Sequence, residues 1–461
     1  MSLVVNTPLE RIPEIVASQR RYFATHKTKS LDYRLDMLRR LRGAIVRYEQ
    51  RLSDALYQDL HKSYEEAYIT EISIVLGEID NFLKNLTRWA APSKKKTPLK
   101  LFPSKSAIIT EPLGVALIIA PWNYPVQLLL NPLVGAIAAG CTAVLKPSPY
   151  VPNVSRVLRE LIDECFAEEY IALVEGNREV NAALLNERYD IIFFTGSPDL
   201  GRVVMRSAAE NLTPVVLELG GKSPVIVDSC ADVALAAKRV AWGKTLNAGQ
   251  TCIAPDYLLI SRDVKEQFIA EFAKAIRELH GEDIRHSEHY VRMVSDTAYM
   301  RVSGYLTDGN VRYGGRVEAS GRFVEPTLLD DVSVESPVMR EEIFGPVLPM
   351  IEVSSIDEAI EFVNRREKPL ALYVFASERD AKRVIAQTSS GGACVNDVIM
   401  HIANEHMPFG GVGNSGMGRY HGRDSLYAFS HRRSVLATST KIDLPFRYMP
   451  YKWFRYIKRL L

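Results

Sequence analysis

Pro112-Leu-Gly-Val-Ala-Leu-Ile-Ile-Ala-Pro121-Trp-Asn-Tyr-Pro125-Val-Gln-Leu-Leu-Leu-Asn-Pro132-Leu-Val-Gly-Ala-Ile-Ala-Ala-Gly140-Cys-Thr-Ala-Val-Leu145 runs without a single charged residue. On length alone such a stretch is a candidate membrane span. Three prolines interrupt it, and Gly114, Gly135 and Gly140 punctuate it. It therefore reads as a strand over 114–120, a turn, a short buried helix over 126–139 and a second strand over 142–146. A parallel strand covered on both faces by crossover helices is this apolar. We expect no transmembrane span.

Working outward, further Val/Ile/Leu runs recur at 171–174, 190–194, 214–217 and 224–227, with helical patterns near 153–166 and 199–209. A second series places strands near 256–261, 346–352, 371–376 and 392–395, with helices near 263–279, 356–366 and 379–389 between them. Alternating strand and helix specify an α/β architecture with parallel sheets. At 461 residues the chain exceeds what one core usually supports, so two or more domains are expected.

Residues 8–90 read as helical. Ser30 is a candidate N-cap, followed by Leu31, Leu35, Leu38, Ile45, Tyr48 and Leu52 at steps of three or four with one longer gap. Residues 91–106 carry three prolines and five lysines and read as an exposed arm, a solvated edge or subunit contact in preference to a nucleic-acid patch. The tail ends Tyr451-Lys-Trp-Phe-Arg-Tyr-Ile-Lys-Arg-Leu-Leu461. Such a basic, aromatic segment suits an anionic membrane surface. Packing on the protein or on a partner subunit is the favoured reading.

Hydrophobic content of 47% and charged content of 24% are those of an ordinary globular protein, and a net charge of +2 gives no argument for nucleic acid. Cys141, Cys165, Cys230, Cys252 and Cys394 are odd in number and widely spaced, with no CxxC. They make neither a disulfide framework nor a zinc site, which fits a reducing, cytoplasmic compartment and no metal. Met1-Ser-Leu-Val-Val lacks the basic start of a signal peptide.

Two segments hold the chemistry. Asn247-Ala-Gly-Gln-Thr-Cys252 ends in a thiol among polar and glycine neighbours, and Leu217-Glu218-Leu219-Gly220-Gly221-Lys222 carries a carboxylate. A small buried hydrophobe is the commoner fate of a cysteine; the neighbours here favour a nucleophile. Phe193-Phe194-Thr195-Gly196-Ser197-Pro198-Asp199-Leu200-Gly201 runs from an apolar strand into a helix start, where backbone N–H groups and the Ser197 hydroxyl suit a pyrophosphate. An ordinary capped helix would look similar. Gly411-Val-Gly413-Asn-Ser-Gly416 matches the dinucleotide fingerprint as letters, but without a preceding buried strand it reads as a glycine-rich turn. Gly221-Lys222-Ser223 is no P-loop, since Val216 stands where the first glycine is required.

Together with Pro121-Trp-Asn-Tyr-Pro125, Lys146-Pro-Ser148, Glu342-Ile-Phe-Gly-Pro346 and Pro408-Phe-Gly-Gly411, these segments occur in the order found in the aldehyde dehydrogenase superfamily. The ending Gly413-Asn-Ser-Gly-Met-Gly-Arg-Tyr-His-Gly422, then Phe429-Ser-His-Arg-Arg433, resembles the class 3 branch. The resemblance implies a Rossmann-like dinucleotide-binding domain (1–85 and 107–217, with 396–424 returning to it) and a catalytic domain (218–395). It also implies an oligomerisation arm (86–106 and 425–443), a tail (444–461) and a homodimer. It implies Cys252 as nucleophile, Asn123 and the Cys252 N–H as oxyanion donors, and Glu218 as base for deacylation. Trp122, Lys146, Thr195, Gly196, Ser197, Gly201, Leu219, Glu342 and Phe344 are implied at an NAD or NADP cofactor. Taken singly, Trp122 and Phe344 also read as core aromatics, and Lys146 as a surface cation. Trp242, Thr251 and Phe409 are candidate walls of an apolar pocket for a medium- to long-chain aliphatic or an aromatic aldehyde. Many relatives place Glu after Lys-Pro-Ser; this chain has Pro149, which removes a repulsion against a 2′-phosphate. Two other functions fit parts of the pattern, a cofactor-independent thiol esterase and a non-catalytic protein of the same fold. The cofactor residues speak against the first, and retention of Cys252, Glu218 and Asn123 against the second.

Overall fold

A computed structural model describes residues 5–451 and 454–458. The leader reading at 1–4 and part of the tail (452–453 and 459–461) lie outside them. The uncharged stretch folds as strand Val115–Ile119, helix Gln127–Ala139 and strand Thr142–Lys146, all buried. Gly140 closes the helix at φ 96°, a conformation open to glycine. The two strands pair in parallel, with Val115 opposite Thr142.

This unit is the centre of a six-stranded sheet. Its order is Gly416–Met417, Val215–Leu219, Ile191–Gly196, Val115–Ile119, Thr142–Lys146, Ile171–Leu173. Only Gly416–Met417 runs antiparallel. The chain enters at Val115–Ile119, builds outward through Thr142–Lys146, then returns to the other side with Ile191–Gly196. Ligands of open α/β sheets sit beyond the carboxyl ends of the strands at such a reversal. Trp122 and Asn123 follow one of those ends, Gly196 and Ser197 the other, and Glu218 the next strand along.

The second sheet has seven strands, ordered Asn310–Tyr313, Thr327–Asp330, Val347–Val353, Tyr257–Ser261, Pro224–Val227, Ala371–Phe375, Gly392–Val395. Pro224–Val227 pairs here, between Tyr257–Ser261 and Ala371–Phe375, although its sequence continues the first series. Gly220-Gly221-Lys222 is thus the crossing between sheets. The third sheet joins Ser93–Lys95, Ser104–Pro112 and Ser430–Thr438, all antiparallel, with Ser430 opposite Pro112 and Thr438 opposite Ser104.

At the N-terminal end, helix Leu31–Leu60 opens at Ser30, whose hydroxyl accepts from the Tyr33 N–H at 3.5 Å. Leu38, Ile45 and Leu52 are fully buried along its inner face. Among the described residues no helix is long and apolar enough to cross a membrane.

Candidate active site

Two cavities meet at the carboxyl edge of the first sheet. The larger, about 850 Å³, is lined by Trp122, Asn123, Thr195, Gly196, Ser197, Glu342 and Phe344 among others. The smaller, about 350 Å³, is a mainly apolar tunnel lined by Trp242, Thr251, Phe409, Ile69, Leu246 and Ile399 among others. Cys252, Glu218, Thr195 and Leu128 line both. A thiol and a carboxyl group 34 residues apart in the chain (252 − 218) therefore share one junction.

Cys252 is held there by a tight turn. Asn247, Ala248 and Gly249 all take positive φ (51°, 51° and 72°). At Gly249 a Cβ would fall 2.3 Å from the Gly345 carbonyl oxygen, so no other residue fits that turn. The Asn123 amide donates one N–H to the Gln250 carbonyl at 3.0 Å, and its second N–H has no protein partner among the described residues. The Tyr124 hydroxyl meets the Thr251 hydroxyl at 2.6 Å, tying the two loops on the tunnel side.

Burial dominates the electrostatics. Desolvation pushes the Cys252 thiol well above its ordinary range, and the nearby Glu342 and Glu218 carboxyls push it further. Glu218 is itself raised well above 4.5 by desolvation, and neither of its oxygens has a hydrogen-bond partner. Glu342 is raised to about 8, first by desolvation and then by the charge of Asp256. Burial thus favours the neutral forms of the thiol and both carboxyls, and at Glu342 the charges of Lys222 and Arg301 offset it only in part.

The larger cavity fits a dinucleotide. Helix Pro198–Ala209 presents its N-terminus through Ser197, whose hydroxyl accepts from the Leu200 N–H at 3.4 Å and keeps its own proton to donate. The Thr195 hydroxyl and one Glu342 oxygen are buried without partners. Trp122 and Phe344 stand edge to face at 5.3 Å on the cavity wall, where Trp122 also packs against the main core. Gly201 acts through packing. A Cβ there would fall 2.8 Å from Leu219, so the glycine lets the helix approach the strand, and both residues stand behind the cavity wall. Lys146 is not a surface cation. It is buried, donates to the Pro147 carbonyl at 2.7 Å, and is lowered to about 8 by burial. Pro147, Ser148 and Pro149 beside it line a separate hollow of about 230 Å³ with Arg156 and Arg159.

Several site residues carried no sequence-based role. Lys222 pairs with Asp256 and donates to the Val338 and Glu341 carbonyls, each at 2.8 Å. Asp256 in turn accepts from the Ile343 N–H at 3.0 Å, and Arg301 donates to the Glu342 and Ile343 carbonyls at 3.1 and 2.9 Å. These three residues hold the segment bearing Glu342 and Phe344. Lys222 lies within a motif already quoted, but its Asp256 partner is visible only in three dimensions. The glycine-rich turn at 411–416 is a turn, and its last glycine opens the short strand Gly416–Met417 that pairs with Glu218 and Leu217.

The sequence profile of the aldehyde dehydrogenase family matches residues 4–435. This chain belongs to that family. A 4,4'-diaponeurosporen-aldehyde dehydrogenase of Staphylococcus aureus is 47% identical, across 95% of this chain and 96% of its own. A dimeric NADP-preferring aldehyde dehydrogenase of Canis lupus familiaris is 44% identical, across 96% and 98%. The solved substrate-bound Staphylococcus aureus AldH superposes with a TM-score of 0.96 at 46% identity, covering 97% of this chain and 99% of that one. The aldehyde dehydrogenase is an oxidoreductase that uses NAD or NADP, and its fold is that of the family.

Proposed function

We propose that this dehydrogenase converts medium- to long-chain aliphatic or aromatic aldehydes to acids through a covalent adduct on Cys252 that Glu218 resolves. The observation that carries the reading is the junction itself: a dinucleotide-sized cavity and an apolar tunnel have Cys252 and Glu218 as common walls. The thiol passes its proton to water, its sulfur adds as thiolate to the carbonyl carbon, and the carbonyl π electrons move to oxygen. The Asn123 amide and the Cys252 N–H stabilise that oxyanion; losing one such donor typically costs about 2.7–4 kcal/mol of barrier. A nicotinamide dinucleotide held in the larger cavity by Trp122, Ser197, Glu342 and Phe344 would supply the hydride acceptor that converts the Cys252 adduct to a thioester. Glu218 then takes a proton from water as the water attacks. The C–S bond breaks, the acid departs and the thiolate is restored.

Rates for a series of aldehydes, read from reduced-nicotinamide absorbance, test the substrate class. Each methylene buried in the tunnel contributes about 0.8 kcal/mol, so kcat/KM should climb about fourfold per methylene until the tunnel is full. A series that is flat or falls with length would contradict an apolar tunnel as the aldehyde site.

With proline at 149 and Lys146 close by, the carboxylate that lines the same hollow, Glu175, is already paired with Arg159 at 2.6 Å, so repulsion of a 2′-phosphate at the adenosine end is weakened. NADP is therefore expected to serve at least as well as NAD. Pro149→Glu should shift the ratio of kcat/KM toward NAD by roughly tenfold, the worth of a like-charge repulsion of about 1.4 kcal/mol. A strong NAD preference in the wild type would refute the idea. The arm sheet, whose outer strands Ser93–Lys95 and Ser430–Thr438 are unpaired on one side among the described residues, supplies the surface we assign to pairing with a second copy.

A further inference from the structure

A buried polar cluster lies behind Asn123. Lys62 follows helix Leu31–Leu60 and is fully buried, as is Glu71. The Lys62 ammonium donates to Glu71 at 2.6 Å and to the backbone carbonyl of Asn123 at 3.2 Å. The other Glu71 oxygen accepts from the Val126 N–H at 2.8 Å, at the entry to helix Gln127–Ala139. Glu71 itself stands in a one-turn π-helix, Tyr68–Ile72, a distortion found most often at functional sites. Desolvation makes a buried ion pair a poor stabiliser compared with apolar side chains, so stability alone does not account for this one.

A second set of bonds reaches the same carbonyl from the nucleophile loop. The Asn247 side chain donates to the Asn123 carbonyl at 2.9 Å and to the Gln250 carbonyl at 3.0 Å. The Asn247 backbone N–H donates to Glu66 at 2.8 Å. The Asn123 carbonyl thus takes two donors, while its amide spends one N–H on Gln250. Its remaining N–H has one direction left.

We infer that Lys62, Glu71 and Glu66 are positioning residues, which aim the free Asn123 N–H at the oxygen of the carbonyl attacked by Cys252. Lys62 and Glu71 grip the Asn123 loop from one side. Glu66 holds the Asn247 turn, and Asn247 and Gln250 lock the two loops together. This rests on the oxyanion role proposed for Asn123, and adds to it where the aim comes from.

A double-mutant cycle on the full-length enzyme tests the inference through the rate of the first turnover of reduced nicotinamide. Misplacing a catalytic group by about 1 Å costs up to roughly 100-fold, so Glu71→Gln should slow that step about 10- to 100-fold with the cofactor KM unchanged. In an Asn123→Ala background the same change should slow it by less than about threefold, since there is no donor left to aim. Equal factors in both backgrounds would overturn the positioning role while leaving the oxyanion role standing. An Asn123→Ala enzyme of undiminished rate would overturn both. If Glu71→Gln fails to fold by circular dichroism, Glu66 carries the test. Glu66→Ala should slow the step about tenfold, and Glu66→Gln, which still accepts from the Asn247 N–H, should restore most of it. Equal rates for wild type and both Glu66 variants would overturn the inference.

Discussion

Cys252→Ala is expected to abolish aldehyde oxidation, with kcat/KM falling by a factor on the order of 10⁵. Without the sulfur no tetrahedral carbon forms, and an aldehyde carbonyl by itself has no hydride in a position to leave. Oxyanion donors at Asn123 have then nothing to stabilise. Binding of the dinucleotide should survive, because the cavity wall formed by Trp122, Ser197, Glu342 and Phe344 is untouched. Quenching of tryptophan fluorescence by added cofactor checks this, since Trp122 lines that wall. Substantial turnover in the alanine variant, with the cofactor still bound, would remove Cys252 from the reaction.

Glu218→Gln has a different expected signature. Glutamine cannot take a proton from water, so steady-state kcat should fall about 10²–10⁴-fold. The first turnover should remain fast, giving a burst of about one reduced cofactor per active site before the slow phase. The same substitution reports on stability. Burial raises the Glu218 carboxyl well above its ordinary 4.5. Its neutral form suits the folded state, so that contribution is whole below about 4.5 and is lost as pH rises toward the folded value. Glutamine stays neutral throughout. The Tm of Glu218→Gln should therefore exceed that of the wild type by a margin that grows as pH rises above the ordinary carboxyl value of 4.5. A margin that stays level as pH rises would mean that the carboxyl is not desolvated. Wild-type deacylation should likewise quicken as pH rises, because the base works only when ionised.

Much of this was legible because the signals are local. The uncharged stretch from Pro112 to Leu145 encodes its strand, helix and strand through prolines, glycines and apolar runs, and these appear at Val115–Ile119, Gln127–Ala139 and Thr142–Lys146. Ser30 announces its helix because a cap hydroxyl needs only the next three residues. Where the signal is short or mixed the sequence is mute. Thr327–Asp330 offers two apolar residues after a proline, and Asn310–Tyr313 has a polar, exposed face. The sequence patterns place no helix at Arg178–Asn186 or Val233–Thr245, where the structure has one each. The latter mixes alanines with a glycine and has buried residues on most sides. Pro224–Val227 looks like the next strand of the first series; only the hydrogen bonds to Tyr257–Ser261 and Ala371–Phe375 assign it elsewhere.

The site divides along the same line. Cys252, Glu218 and Asn123 stand out because each lies in a dense, glycine-bearing or proline-bearing motif. Lys62, Glu66 and Glu71 do not, because they lie in an amphipathic helical region where charged residues usually face water. Their burial follows from contacts with Asn123 and Asn247, 61 and 181 residues away in the chain. No periodicity within a helix encodes such a partner.

The most direct measurement is the mass of the Glu218→Gln enzyme after mixing with an aldehyde and NADP. The account predicts an added acyl group, mapped to the peptide containing Cys252 and removed by hydroxylamine. Reduced cofactor formed in a burst without any such adduct, or an adduct on another residue, would contradict it.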